Sequence, residues 1–136
     1  MPDAVPYINA CTEPGDALVL TWRAPEYNFF ARRRFSAGHV EFLAPNAFAT
    51  ERDQAQMIGW LERDRIPLVL VNESQRADFV RAYPRVDAWI RDRYEPVGEY
   101  VIYDQSRVTI ARRKGFAART TWGASRWPCG FDLSRS

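Results

Sequence analysis

Lysine is nearly missing from this chain: of its 19 basic side chains only Lys114 is a lysine, and the rest are arginine. That bias reads as GC-rich coding more than as phosphate recognition by guanidinium forks. Histidine is scarcer still, with His39 alone, so a nucleophile has few bases to call on. Two cysteines, Cys11 and Cys129, stand far apart and form neither a disulfide framework nor a metal-ligand pattern. They do not reveal the redox compartment. No apolar run approaches the ~20 residues that span a bilayer. The start, Met1-Pro2-Asp3-Ala4, lacks the basic and apolar regions of a secretory signal. Taken alone, the chain is expected to stay in the cytoplasm. A net charge of only +2 argues against a nucleic-acid partner, which would show a clustered basic excess.

What is present suits a single domain of 136 residues, with 46% hydrophobic and 26% charged residues, a globular balance. Ala4 to Cys11 suits a short helix, although Pro6 confines it to a first turn at Val5 to Tyr7. After the Pro14-Gly15-Asp16 turn, Ala17 to Arg23 reads as a strand buried on both faces. Pro25 suits a helix start, so Glu26 to Arg32 is predicted helical, ending in Arg32-Arg33-Arg34. His39 to Leu43 is a plausible second strand. Thr50 and Asp53 resemble a capping box for a helix over Thr50 to Arg65, with Ala55, Ile58 and Leu61 at helical spacing and Met57 and Trp60 widening the stripe. Leu68 to Val71 is a second strand of the buried type. Ser74 can cap the next helix, which breaks at Pro84 and resumes towards Tyr94. Its aromatics, Phe79, Tyr83, Trp89 and Tyr94, read as core. Val97 to Tyr103 and Arg107 to Arg112 alternate as an antiparallel hairpin.

Strands alternating with helices imply βαβ units. The expected fold is therefore α/β, a three-layer α/β/α sandwich with a mostly parallel sheet and a C-terminal antiparallel hairpin. Ala17 to Arg23 and Leu68 to Val71 are expected as parallel neighbours. Residues 1–114 are expected to form this domain, with 115–136 as a tail or irregular extension.

Ligands of open α/β sheets bind beyond the carboxyl ends of the strands. Trp22, Arg23, Glu26, Asn46, Asn72, Glu73 and Ser74 fall there, and Arg23, Glu26, Asn72 and Glu73 are the candidate ligand contacts. The first strand runs into Arg23-Ala24-Pro25-Glu26, not into the glycine turn that lets a backbone approach a pyrophosphate, so no cofactor is expected. His39 is predicted at the opposite edge and serves no triad. Glu26 and Glu73 are the one conceivable carboxylate pair. No catalytic residue and no metal ligand is assigned. Arg32, Arg33 and Arg34, with Phe29, Phe30 and Phe35 beside them, are candidates for an anionic membrane surface. The bland alternative is a helix end with its phenylalanines in the core.

One resemblance joins these segments: Tyr7-Ile8-Asn9-Ala10 and Glu13-Pro14-Gly15-Asp16 before a strand, and Phe30-Ala31-Arg32-Arg33. Further along come Glu51 to Leu61 leading into Pro67 to Val71, Tyr83-Pro84, Trp89-Ile90, Arg93-Tyr94, and Val108-Thr109-Ile110-Ala111-Arg112-Arg113. Over Val5 to Arg113 the chain resembles the C-terminal extramembrane domain of bacterial polyprenyl-phosphate-sugar-dependent membrane glycosyltransferases, of the protein mannosyltransferase and aminoarabinose transferase type. The matching motifs are turn and core patterns, not catalytic signatures. The resemblance implies a non-catalytic accessory domain on the extracytoplasmic, periplasmic side. Its partners would be the membrane-embedded part of the enzyme and a lipid-linked sugar or acceptor. The family's catalytic acid lies in that membrane part, so none is carried over. The chain departs from the family by lacking transmembrane helices and by adding Gly115 to Ser136. The alternative is a free-standing cytoplasmic α/β domain that binds a small polar or phosphorylated ligand at the strand ends.

Overall fold

Leu68-Val69-Leu70-Val71 is an unbroken apolar run, and such a run is stable only where both faces of a strand are covered. In the computed structural model, which describes residues 4–35, 50–102 and 105–133, these residues and Asn72 form β2 (Leu68–Asn72), buried along its whole length. On one side β2 pairs in parallel with the short β1 (Val19–Leu20), Val19 opposite Val69 and Leu20 opposite Leu70. The parallel pairing expected between these segments is thus present. On the other side β2 pairs antiparallel with β4 (Arg107–Arg113), which pairs antiparallel with β3 (Tyr94–Val101).

The expected three-layer, mostly parallel sandwich is not the fold. The described residues form one mixed four-stranded sheet, ordered β1-β2-β4-β3, and one separate antiparallel pair. Only the β1–β2 contact is parallel. The cause lies in the connection after the last helix. Tyr94 follows it directly as the start of β3, so no crossover returns the chain in parallel. The hairpin then inserts β4 against the free edge of β2. The expected strand His39 to Leu43 lies outside the described residues.

Helix α1 (Ala4–Cys11) runs well past Tyr7, because Pro6 stands in the first turn, where its missing N–H costs no helical bond. Helix α2 (Pro25–Ala31) starts on its proline, as expected. Helix α3 (Glu51–Arg63) carries the full capping box: Thr50 accepts from the Asp53 amide and Asp53 accepts from the Thr50 amide.

The buried stripe of α3 is centred on Gln54, not Ala55, which is exposed. The Gln54 amide oxygen accepts from the amides of Arg85 (2.7 Å) and Val86 (3.4 Å), which lie in the first turn of α5 (Pro84–Arg93). It thereby satisfies donors that a helix start leaves open. Before α4 (Arg76–Ala82), the cap also differs from expectation. Asn72 accepts from the Gln75 amide in the 3-10 turn Glu73–Gln75, while Ser74 accepts from the Arg107 amide across the sheet end.

The segment expected to be a tail or irregular extension forms a hairpin, β5 (Phe116–Trp122) with β6 (Trp127–Leu133). It is fastened in four places. Cys129 forms a disulfide with Cys11 of α1. The Tyr7 hydroxyl donates to the Pro128 carbonyl, and its ring contacts Trp122 and Trp127. Arg65 donates to the Phe131 carbonyl while its guanidinium lies over the Phe116 ring, 5.2 Å from the centroid. Trp127 rests on Gly98 of β3. Arg65 is itself anchored by buried Asp16 at 2.7 Å. The sequence shows no clear strand period here because exposed residues lie on both faces of the hairpin, Ala117, Arg119 and Thr121 on one and Thr120 on the other.

Candidate functional site

The parallel β1–β2 pair delivers its carboxyl ends to one place, and Thr21 and Asn72 meet there. The Asn72 amide donates to the Thr21 hydroxyl at 3.1 Å, and Thr21 donates its own amide to the Leu70 carbonyl. Asn72 is fully buried, and its side-chain oxygen caps the following turn. Its side-chain nitrogen is buried and has no hydrogen-bond partner among the described residues. A buried amide without a partner is uncommon and calls for water, a ligand or a functional reason.

The other three strand-end candidates are placed differently. Glu73 is half-buried and accepts from Arg76, its neighbour one turn on, at 3.3 Å. Arg76 also faces Asp87 of α5 at 3.3 Å. Asp87 is buried and has Arg91 2.9 Å from its second oxygen. Arg76 and Arg91 thus compensate a carboxylate that burial would otherwise make costly. Arg23 and Glu26 are exposed on the loop and first turn that follow β1. The strand ends therefore bring Asn72, Thr21, Glu73 and Arg76 into one neighbourhood. Glu73 serves an ion-pair network through Arg76, while Glu26 is exposed on α2.

Two pairs of acids, Glu51 with Asp53 and Glu62 with Asp64, stand one residue apart, a spacing that can hold a divalent cation. In the structure they are engaged otherwise. Asp53 caps α3, Glu51 pairs with Arg85, and Asp64 takes a two-pronged contact from Arg34 at 2.7 and 3.2 Å. Glu62 lies 4.0 Å from Arg93. Among the described residues no group of three His, Cys, Asp or Glu side chains could hold a metal ion. His39 and Asn46 lie outside the described residues.

The three arginines after α2 have three different fates. Arg33 is buried, and its guanidinium donates to the carbonyls of Asn9, Thr12, Ala31 and Arg32 and to the Thr12 hydroxyl, at 2.9 to 3.2 Å. It ties the end of α1 to the end of α2 and is not available to a headgroup. Arg34 is held by Asp64, whose carboxylate raises the guanidinium's already high pKa. Arg32 is exposed, in the left-handed conformation with φ 57°. Of the three nearby phenylalanines, Phe35 is core, while Phe29 and Phe30 are the two exposed ones. Arg34 is exposed but paired, so the expected basic cluster reduces to one exposed cation, Arg32, with no acidic partner among the described residues, beside two exposed rings. The sequence signal for this was the run itself, and only the fold separates its members.

Comparison of the chain with protein-family models, with curated proteins and with solved structures finds no match. Nothing in these comparisons links the chain to a glycosyltransferase. Among the described residues no helix is long and apolar enough to cross a membrane.

Proposed function

We propose that this chain is a non-catalytic accessory domain that works on the extracytoplasmic side of a membrane glycosyltransferase. The observation that carries the reading is the bond between Cys11 and Cys129, which joins α1 to the terminal hairpin across 118 residues. Disulfides of this structural kind form and persist in oxidising compartments and are rare in reducing ones. The compartment they favour is the one that the sequence resemblance implies. At the described strand ends Glu73 is paired with Arg76 and Glu26 is exposed.

The test is thiol trapping in intact cells that produce the chain, followed by mass-shift electrophoresis. Both cysteines are expected to resist alkylation until reductant is added. Full labelling without reductant overturns the extracytoplasmic assignment. Turnover assays on activated ester, phosphate and glycoside substrates test the non-catalytic part. Activity that vanishes in Glu26→Gln or Glu73→Gln overturns it.

A second reading, a small polar or phosphorylated ligand at the strand ends, is favoured by one observation, the buried and unpartnered Asn72 side-chain nitrogen. Inorganic phosphate is the probe. A rise in melting temperature lost in Asn72→Ser supports this reading, and no rise at millimolar phosphate removes the phosphorylated class.

A further inference from the structure

We infer that Phe29 and Phe30, with Arg32 beside them, form a contact surface for an anionic lipid bilayer. The inference rests on the reading above that the domain works next to a membrane, and it names the surface that meets it. Phe29 is 76% exposed and Phe30 48%, and their rings pack edge to face with centroids 5.2 Å apart. Scattered exposed apolar residues need no explanation, but two adjacent rings, one mostly and one half exposed, form a small apolar knob.

The knob is held rigidly. Asn28 donates to the carbonyls of Leu18 and Arg33 at 3.1 and 3.0 Å, and Asn9 donates to the Ala31 carbonyl at 3.1 Å. Arg33 clamps the same turn from beneath with its five contacts. The left-handed Arg32 then turns the chain, and its own amide bonds the Phe29 carbonyl at 3.2 Å. A buried arginine and two asparagines thus fix the segment that carries two wet phenylalanines.

Size and charge select the occupant. Two phenylalanines at these exposures offer on the order of 250 Å², against roughly 800 Å² on each partner in a stable protein–protein interface. The patch is too small to hold a second copy of this chain but suits shallow insertion among acyl chains, where Phe is a common anchor. Arg32 has no acidic partner among the described residues, so its charge is open to a phosphate-bearing headgroup. Glu26, exposed one turn earlier on α2, is the charge that opposes such binding.

The test is co-sedimentation of the purified full chain with vesicles of phosphatidylcholine alone or with about one-third phosphatidylglycerol, at low and high salt. Binding is expected to the anionic vesicles and to weaken with salt. The double variant Phe29→Ser with Phe30→Ser is expected to lose roughly tenfold or more in partitioning. Arg32→Gln is expected to lose about fivefold, and Glu26→Gln to gain severalfold. All four positions are exposed, and an unchanged melting temperature confirms that the variants fold. Absence of binding by the unaltered chain, or binding indifferent to loss of both rings, overturns the inference. A phenylalanine-dependent dimer in sedimentation velocity overturns it too, because the surface would then belong to a second copy. The outcomes separate from those of the parent reading. Oxidised cysteines in cells with no vesicle binding remove the lipid surface alone, and reduced cysteines with intact binding remove the extracytoplasmic assignment alone.

Discussion

Trp127 lies across Gly98 so closely that a β-carbon on the glycine would stand 2.4 Å from the indole nitrogen. The glycine sits beyond the irregularity at Pro96 in the edge strand β3, and the tryptophan sits at the tip of the terminal hairpin. With Tyr7 edge-on to Trp127 at 5.0 Å and Trp122 stacked beside it, the contact joins sheet, first helix and hairpin. Gly98→Ala must push the indole away. A destabilisation of about 1–3 kcal/mol is expected, the usual range for overpacking a fixed contact. A urea melt measures it, and hydrogen exchange should show the loss concentrated in 116–133.

The same hairpin depends on the disulfide. Closing a loop of 118 residues removes much freedom from the unfolded chain, and a bond of this span is worth roughly 2–5 kcal/mol. Cys11→Ser, Cys129→Ser and simple reduction should therefore lower the urea midpoint by similar amounts. Paired melts with and without reductant check this. Reductant should leave the midpoint of either serine variant unmoved.

How much of this was legible in the sequence depends on where each signal lives. Local signals carried through: the Thr50–Asp53 capping box, Pro25 opening α2, and the apolar runs that make β1 and β2 parallel neighbours. Signals that need a partner did not. Gln54 looks like a surface residue until α5 presents two open amides to it. Cys11 and Cys129 look unrelated until α1 and β6 meet, because spacing carries no information about distant pairing. The arginine run was visible as a run, but burying Arg33 and pairing Arg34 are consequences of the α1–α2 and α3 contacts. The sheet direction is not legible for a similar reason. A helix followed by a buried strand fits a parallel crossover and a hairpin insertion equally well, and only the placement of β4 beside β2 decides.

Trp89 offers a way to separate packing from polar cost. It is 5% exposed, its indole N–H has no hydrogen-bond partner among the described residues, and Arg93 and Arg113 lie 5.4 and 5.5 Å from its ring. Trp89→Ala is expected to cost roughly 3–5 kcal/mol through cavity formation. Trp89→Phe keeps most of the packing and an aromatic face for the arginines while removing an unsatisfied donor. It should cost less than about 1.5 kcal/mol. Urea melts of the two variants give the comparison, and equal losses would mean that the size of the ring contributes little.

Alkaline stability should be governed by buried tyrosines, since the chain has only one lysine to titrate there. The Tyr94 hydroxyl donates to the Ile66 carbonyl at 2.7 Å, and burial pushes its pKa up to about 12, against the opposing pull of Arg113 and Arg93. Burial also raises the Tyr7 pKa, with Arg112 opposing. Both folded-state values lie above the unfolded value of about 10. The folded protein therefore holds protons that the unfolded chain releases. That contribution is complete below pH 10 and is lost as pH rises through the folded values. Unfolding free energy should fall above about pH 10, by as much as roughly 1.4 kcal/mol per pH unit for each such tyrosine. Tyr94→Phe gives the discriminating measurement. At neutral pH it should cost about 1 kcal/mol for the lost hydrogen bond, and the slope between pH 10 and 12 should become shallower. A variant that melts with the same alkaline slope as the parent would show that Tyr94 does not carry it, and Tyr7→Phe would then be the residue to test.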